Sequence, residues 1–344
     1  MKTTGVQISG PRQITIVEET LPEPGQGQVE IKSICSGISH GTEMNVYRGV
    51  APMWHMKQER ETRLFVPTDA PQWQYPMSYG YACVGEVVRI GPNVTRLQPG
   101  DVVFAYASHR TGHILPEQAA IKLPESVDPE LGIFIANLNT TFNGILDADL
   151  HLGETVVVFG QGILGQLTVQ QAKLSGASQV VAVDLADKRL AISRDVSRAD
   201  VTLNPAEVDD VAMYVRNLTE KRGADAVFEL SASDRALHEA IRTVCYNGKV
   251  IVMSWYPDAL PNVYLGREFH HNRIQLICSQ TGAIRPELSH RWNMARRHQA
   301  VVELLPQLNL KPLITHRIEH HNAAEAYALI DNHPEEIMQV VLTY

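Results

Sequence analysis

The chain has 344 residues, 44% of them hydrophobic and 20% charged, with 30 Lys+Arg against 38 Asp+Glu for a formal charge of −8. That length points to two domains with apolar surface enough for packed cores. Net acidity without a Lys/Arg-rich run argues against a nucleic-acid surface, short of a local basic groove, no run approaches the roughly 18 apolar residues of a membrane span, and the first residues show no apolar signal-peptide region. The four cysteines, Cys35, Cys83, Cys245 and Cys278, are scattered, so they form neither a disulfide framework nor a short-spaced zinc knuckle. They read as buried free thiols in a reducing, cytoplasmic setting.

Residues 13–18 and 28–33 read as short β-rich runs separated by Pro22-Glu23-Pro24-Gly25. Residues 85–90 read as a strand stopped by Gly91-Pro92-Asn93, and the turn Leu97-Gln98-Pro99-Gly100-Asp101 leads into Val102-Val103-Phe104. Between these, 50–77 is irregular and rich in Met, Trp and Pro, and a loop that long in a compact domain is usually functional or mobile. The rhythm changes near Pro129. Residues 131–146 have helical apolar spacing, 155–159 form a continuous apolar strand, and a glycine turn opens a helix over 164–174 that Gly176-Ala177 stops. A strand at 179–183 with a helix at 188–196, a strand at 226–230 with a helix at 235–244, and a strand at 249–254 follow. This alternation predicts an α/β fold with a doubly wound parallel sheet. After about Thr281 come a helix at 298–305, a segment at 314–318, a helix at 323–330 and a final strand at 339–342.

Gly160-Gln161-Gly162-Ile163-Leu164-Gly165 is a complete G-x-G-x-x-G between an apolar strand and a helix, the context of a dinucleotide fingerprint. Gly160 suits the tight turn, Gly162 lets the backbone approach a pyrophosphate, and Gly165 lets helix and strand pack closely. The next strand ends at Asp184, where a carboxylate accepts the ribose hydroxyls and repels a 2′-phosphate, so NAD is expected over NADP. Arg189 follows on the adenosine side and is also a possible 2′-phosphate partner. Thr140, Ser231, Ser254 and Gln280 are candidate cofactor contacts, the last three near successive strand ends.

The chain resembles the medium-chain dehydrogenase/reductases along its whole length. Gly37-Ile38-Ser39-His40-Gly41-Thr42-Glu43 with Tyr47-Arg48-Gly49, then Gly85-Glu86-Val87-Val88, Pro99-Gly100-Asp101-Val102-Val103 and Gly223-Ala224-Asp225-Ala226-Val227-Phe228-Glu229 carry the likeness. The resemblance implies a GroES-like β-rich catalytic domain from 1–128 and 285–344, with a Rossmann NAD-binding domain, 129–284, inserted. Tyr79-Gly80-Tyr81, Ser108-His109-Arg110 and Glu268-Phe269-His270-His271-Asn272-Arg273 look like the subgroup holding 2-desacetyl-2-hydroxyethyl bacteriochlorophyllide dehydrogenases and related alcohol dehydrogenases.

Zinc members of this family use a Cys before Gly-Thr-Asp, a His in Gly-His-Glu and a third Cys or Glu. Here Ser39-His40 precedes Gly41, Gly80-Tyr81-Ala82 replaces Gly-His-Glu, and the third place falls near Ala136-Asn137. A tetrahedral zinc needs three N, S or carboxylate ligands, so the reading is a zinc-independent member with no metal ligands. His270-His271 and His320-His321 lack i, i+4 spacing and read as surface or packing residues.

The resemblance places Thr42 in a proton relay, and Tyr81 in a vacated ligand place. His40, with an ordinary pKa near 6.5, is the leading proton acceptor; the phenol of Tyr81, near 10, is a poor base. Each has a plainer reading: Thr42 as a turn hydroxyl, Tyr81 as packing, His40 as structural. Glu43 orients a neighbour or pairs with Arg48, and His109 faces either the cleft or the surface. The expected protein is an NAD-dependent oxidoreductase interconverting a small-molecule secondary alcohol (a polyol, a sugar or a larger natural-product alcohol) and its ketone, as a homodimer or homotetramer. An enone or quinone reductase and a catalytically inactive dinucleotide-binding protein are the alternatives. Gly160 and Asp184 weigh against the reductase.

Overall fold

The structure, a computed structural model, describes residues 2–256 and 259–344. Contacts divide it into two compact units, Met1–Ala136 with Ile314–Tyr344, and Asn137–Leu313.

In the first unit, strand Gln28–Gly37 is the hub. It pairs antiparallel with Cys83–Ile90, with Val340–Thr343 and with Gly112–Pro116. The main path runs His316–Glu319, Val340–Thr343, Gln28–Gly37, Cys83–Ile90, Val102–Ala105, Ala120–Lys122. A register shift at Ser33/Cys35 sets the face on which Ser36 falls. Strands Lys2–Gly10 and Gln13–Thr20 form a separate antiparallel pair. Helix Ala323–Asn332 buries Ala323, Ala326, Tyr327 and Ile330, the i, i+3, i+4, i+7 stripe of one helical face, against Val6, Ile8, Met44 and Leu342. That stripe puts the Tyr327 ring in the core. The segment 50–77, expected to be irregular, contains a 3₁₀ turn, Pro52–Trp54, and a hairpin of Met56–Gln58 with Phe65–Pro67. Its aromatics pack on their own unit, where Trp54 stacks on Tyr75 at 4.2 Å between centroids and Trp73 and Tyr79 join the same core.

In the second unit, six parallel strands stand in the order Val201–Leu203, Gln179–Val183, Thr155–Phe159, Ala224–Glu229, Val244–Val252, Gln275–Cys278. This is the doubly wound arrangement, and its order reverses between Thr155–Phe159 and Ala224–Glu229. Val156, Val157, Val158 and Phe159 are all buried, because helices cover both faces of the sheet. Val157 and Phe159 meet Leu237 and Ile241 on one face; Val156 and Val158 meet Val169 and Ala172 on the other.

The units divide at Ala136/Asn137 and Leu313/Ile314, not at the 128/129 and 284/285 expected from sequence. A buried arginine holds part of this stretch to the second unit. Arg297, on helix Met294–Leu304, is 1% exposed and donates to Asn143 Oδ1 at 2.6 Å and to the Thr281 carbonyl at 2.7 Å. These bonds tie that helix to the second unit. Among the described residues no helix is long and apolar enough to cross a membrane.

Candidate active site

The glycine turn is built by backbone. Gly160 has φ +88°, and a Cβ on Gly165 would lie 1.9 Å from the Gly160 carbonyl oxygen, so helix Ile163–Leu174 sits against its strand only because that position is glycine. A Cβ on Gly162 meets nothing within 4 Å. Gly162 is also the N-cap and brings no side chain to the first helical amides, whose polarity attracts phosphate. Asp184 folds back on the turn, with Gln161 N donating to Oδ2 at 2.7 Å and Ala186 N to Oδ1 at 2.8 Å. A carboxylate has about four acceptor sites, so capacity remains for a diol. Arg189 stands 3.8 Å from the same carboxylate. Ile163 and Leu164 open the helix. The Gln161 side chain is turned inward, donating to the Val158 carbonyl and accepting from Ser193. These residues fit a dinucleotide.

The other cofactor candidates stand apart in kind. Ser231 bonds the buried carboxylate of Glu229 through both its amide and its hydroxyl, and Tyr256 bonds the same carboxylate. Ser254 Oγ accepts from Ala232 N at 2.9 Å, and Gln280 Oε1 accepts from Gly282 N. Thr140 is half-buried on helix Ile135–Ala148.

In the first unit, a second constellation is built by side chains. The phenol of Tyr81 stands close to the hydroxyls of Ser39 and Thr42, so three hydroxyls converge. Burial and then the charge of Glu43 push the Tyr81 phenol well above its usual range, against the opposing pull of those two hydroxyls. It stays protonated at neutral pH, a state that can donate a hydrogen bond but cannot take up a proton. Glu43, fully buried, accepts from Ser39 N on Oε1 at 2.8 Å; on Oε2 it meets His109 Nε2 at 2.8 Å and accepts from Tyr327 Oη at 2.9 Å. His109 Nδ1 lies 2.7 Å from Ser36 Oγ, which lies 2.8 Å from Tyr344 Oη. His40 is half-buried within the same 39–43 turn.

Two open alternatives are decided here, and the expectation of four buried thiols is corrected. His109 is completely buried, not at the surface. Glu43 does orient a neighbour, but Arg48 pairs with Asp331 at 2.6 Å instead of with Glu43. Cys278 is exposed and Cys245 half-buried, so only Cys35 and Cys83 are buried thiols. The partnership of Glu43 with His109, Tyr327 and Ser36 had no local signal, because its members are 66 and 284 residues from Glu43 or join through His109 at 73.

At the places zinc relatives use, His40 offers a ring nitrogen while Ser39 and Tyr81 offer neutral hydroxyls, and no group of three or more His, Cys, Asp or Glu that could hold a metal ion occurs among the described residues. His270 and His271 are exposed; His320 Nε2 lies 2.8 Å from Thr4 Oγ1.

Comparison with known proteins bears on these two constellations. The pattern of the alcohol dehydrogenase GroES-like domain matches residues 25–119, and that of zinc-binding dehydrogenase matches 164–296. The chain belongs to the medium-chain dehydrogenase/reductase superfamily. In this medium-chain dehydrogenase/reductase the first match contains Ser39, Thr42, Glu43, Tyr81 and His109 but not Tyr327; the second begins within the glycine turn and contains Asp184. The D-guloside 3-dehydrogenase of Escherichia coli K12 is 29% identical over 98% of each chain. Two solved structures share the fold at a TM-score of 0.80: a zinc-binding dehydrogenase of Sinorhizobium meliloti 1021 bound to NADP (18% identical, 100% of each chain) and an alcohol dehydrogenase of E. coli CFT073 complexed with NADH (19% identical, 100% of this chain and 99% of the other).

Proposed function

We propose that this protein is an NAD-dependent, zinc-independent oxidoreductase that interconverts a secondary alcohol and its ketone by hydride transfer. The carrying observation is the convergence of the Ser39, Thr42 and Tyr81 hydroxyls, with Tyr81 standing where zinc relatives present a ligand histidine. Bound nicotinamide supplies the hydride acceptor. Gly160, Gly162 and Gly165 cradle its pyrophosphate, Asp184 takes the ribose diol, and Thr140, Ser231, Ser254 and Gln280 lie along the remainder of the cofactor. Tyr81, held protonated, donates a hydrogen bond to the substrate oxygen and stabilises the negative charge that grows there during ketone reduction. In the oxidation direction Thr42 passes the hydroxyl proton to His40, an imidazole on the same turn.

The substrate class is a polyol or sugar-like alcohol. The resemblance to a D-guloside 3-dehydrogenase supports it, as does the aromatic group of Trp54, Trp73, Tyr75 and Tyr79 that continues to Tyr81, since such rings bind the apolar faces of sugars. The working form is a homo-oligomer in the cytoplasm. Edge strand Gln275–Cys278 leaves its ladder groups and Leu276 exposed, an edge that a second copy would cover.

The test is to incubate the purified protein with NAD or NADP and a panel of sorbitol, 2,3-butanediol and methyl glucosides, following reduced-cofactor absorbance before and after exhaustive chelation. Turnover with NAD that survives chelation supports the reading. Loss on chelation with recovery on adding zinc overturns its zinc-free part. Cofactor binding without any turnover favours an inactive dinucleotide-binding protein.

A further inference from the structure

We infer that Glu43 and His109 form a buried positioning dyad that holds the Ser39–Thr42 turn and Tyr81 in register with one another. The inference rests on the oxidoreductase reading and names how the hydroxyl cluster of that reading is held.

The 39–43 turn needs an anchor. Helix Thr42–Arg48 starts at Gly41, which has no side chain to cap it. The Glu43 carboxylate closes the turn instead, by accepting from Ser39 N at 2.8 Å. With the turn closed, the hydroxyls of Ser39 and Thr42 are set relative to each other. The carboxylate is in turn fixed from two other elements, by His109 Nε2 at 2.8 Å and Tyr327 Oη at 2.9 Å.

The His109 ring is the second half of the device. Both its nitrogens are engaged, Nε2 with Glu43 and Nδ1 with Ser36, so it cannot flip without breaking two contacts. With Nε2–H donating to Glu43, Nδ1 is the acceptor for the Ser36 hydroxyl. The backbone leading to Tyr81 then lies on this ring. Gly80 has φ +120°, and a Cβ there would come within 2.9 Å of His109 Cδ2 and Nε2; His109 N also donates to the Tyr79 carbonyl at 3.3 Å. One imidazole therefore contacts both the turn that carries Ser39 and Thr42 and the strand entry that carries Tyr81. Apolar side chains of the same volume would fill the space without the cost of desolvating a carboxylate. They would not fix direction, which three converging hydroxyls require.

The experiment uses full-length protein with NAD and the fastest alcohol of the panel above. His109→Gln and Glu43→Gln are expected to lower kcat about 100-fold, the usual cost of misplacing reacting groups by an ångström or so. NADH affinity, read by its fluorescence, should change less than threefold, because the glycine turn belongs to the other unit. The kinetic isotope effect with alcohol deuterated at the carbinol carbon should rise, since hydride transfer becomes limiting. Glu43→Asp should recover part of the rate. Tyr327→Phe, which keeps the dyad and loses one donor, should cost about tenfold. Proton NMR supplies a readout free of turnover, in which wild type should show a far-downfield, slowly exchanging imidazole N–H that disappears in His109→Gln. A kcat within threefold of wild type in both dyad variants overturns the inference, as does absence of that resonance from the wild type. If His109→Gln fails to fold, the rate of Glu43→Gln and its partial recovery in Glu43→Asp decide in the same way. If wild type oxidises no alcohol, the oxidoreductase reading fails, and the imidazole resonance still tests whether the dyad exists.

Discussion

The glycine turn and the hydroxyl cluster hold functional groups by different means. At the turn, the groups lie within Gly160–Gly165 and at the end of the adjacent strand, and the bonds that place them are made by main-chain amides, such as Gln161 N to Asp184. At the cluster, the groups come from 36, 39–43, 81, 109 and 327, and side chains hold them to one another. A site held by backbone is sensitive at the few positions where a Cβ has no room, and elsewhere it tolerates exchange. A site held by side chains is sensitive at every member, because removing one partner strands the other in a place without water.

That contrast can be broken most severely at Gly165. Gly165→Ala puts a methyl where the Gly160 carbonyl stands, and is expected to cost about 3 kcal/mol or more and to weaken NADH binding over ~100-fold. A fluorescence titration giving wild-type affinity would show that backbone approach does not define the turn. Next comes Gly80→Ala, strained by its positive φ and by contact with the His109 ring, at about 2–3 kcal/mol of stability and a ~10–100-fold fall in kcat with NADH affinity kept. Equal losses of turnover and cofactor affinity would erase the distinction between the two sites.

The side-chain-held unit should also carry an acid sensitivity. Burial, and then the charge of Arg110, lower His113 from its usual 6.5 to about 4. Between those values the unfolded chain binds a proton that the folded chain does not. Stability is therefore complete above about pH 6.5 and is lost as pH falls toward 4, by on the order of 2–3 kcal/mol. Urea midpoints measured across that window should fall in wild type and stay level in His113→Gln; parallel curves would discard this assignment. The smallest effect is expected at Asp184. Asp184→Ala should reduce the preference for NAD over NADP about tenfold, near 1.4 kcal/mol, and unchanged discrimination would shift the assignment to Arg189.

Legibility followed the same division. Strand Gln179–Val183 was readable to the residue, and Thr155–Phe159 with its glycine turn likewise, because continuous apolar runs and contiguous glycines report local geometry. Strand Lys2–Gly10 and helix Val211–Leu218 left weaker traces and were not foreseen. Tyr81 and Ser39 were visible as departures from a family pattern, and Thr42 as a match to it, but their convergence was not. The inward turn of the Gln161 side chain was also hidden, since it depends on Ser193, 32 residues on.

By itself the sequence determined the parallel sheet, the nucleotide turn, the acidic residue beside it and the lack of thiolates at the places zinc would need. Those are properties of residues near one another along the chain, where periodicity and steric room suffice to read them. Only the tertiary structure decided that Glu43 meets His109 rather than Arg48, that Arg297 ties helix Met294–Leu304 to the second unit, and that His109 is buried. Each of those is a pairing across many residues. The free energy of burying a polar group selects its partner in space, and nothing in local sequence encodes which partner that is.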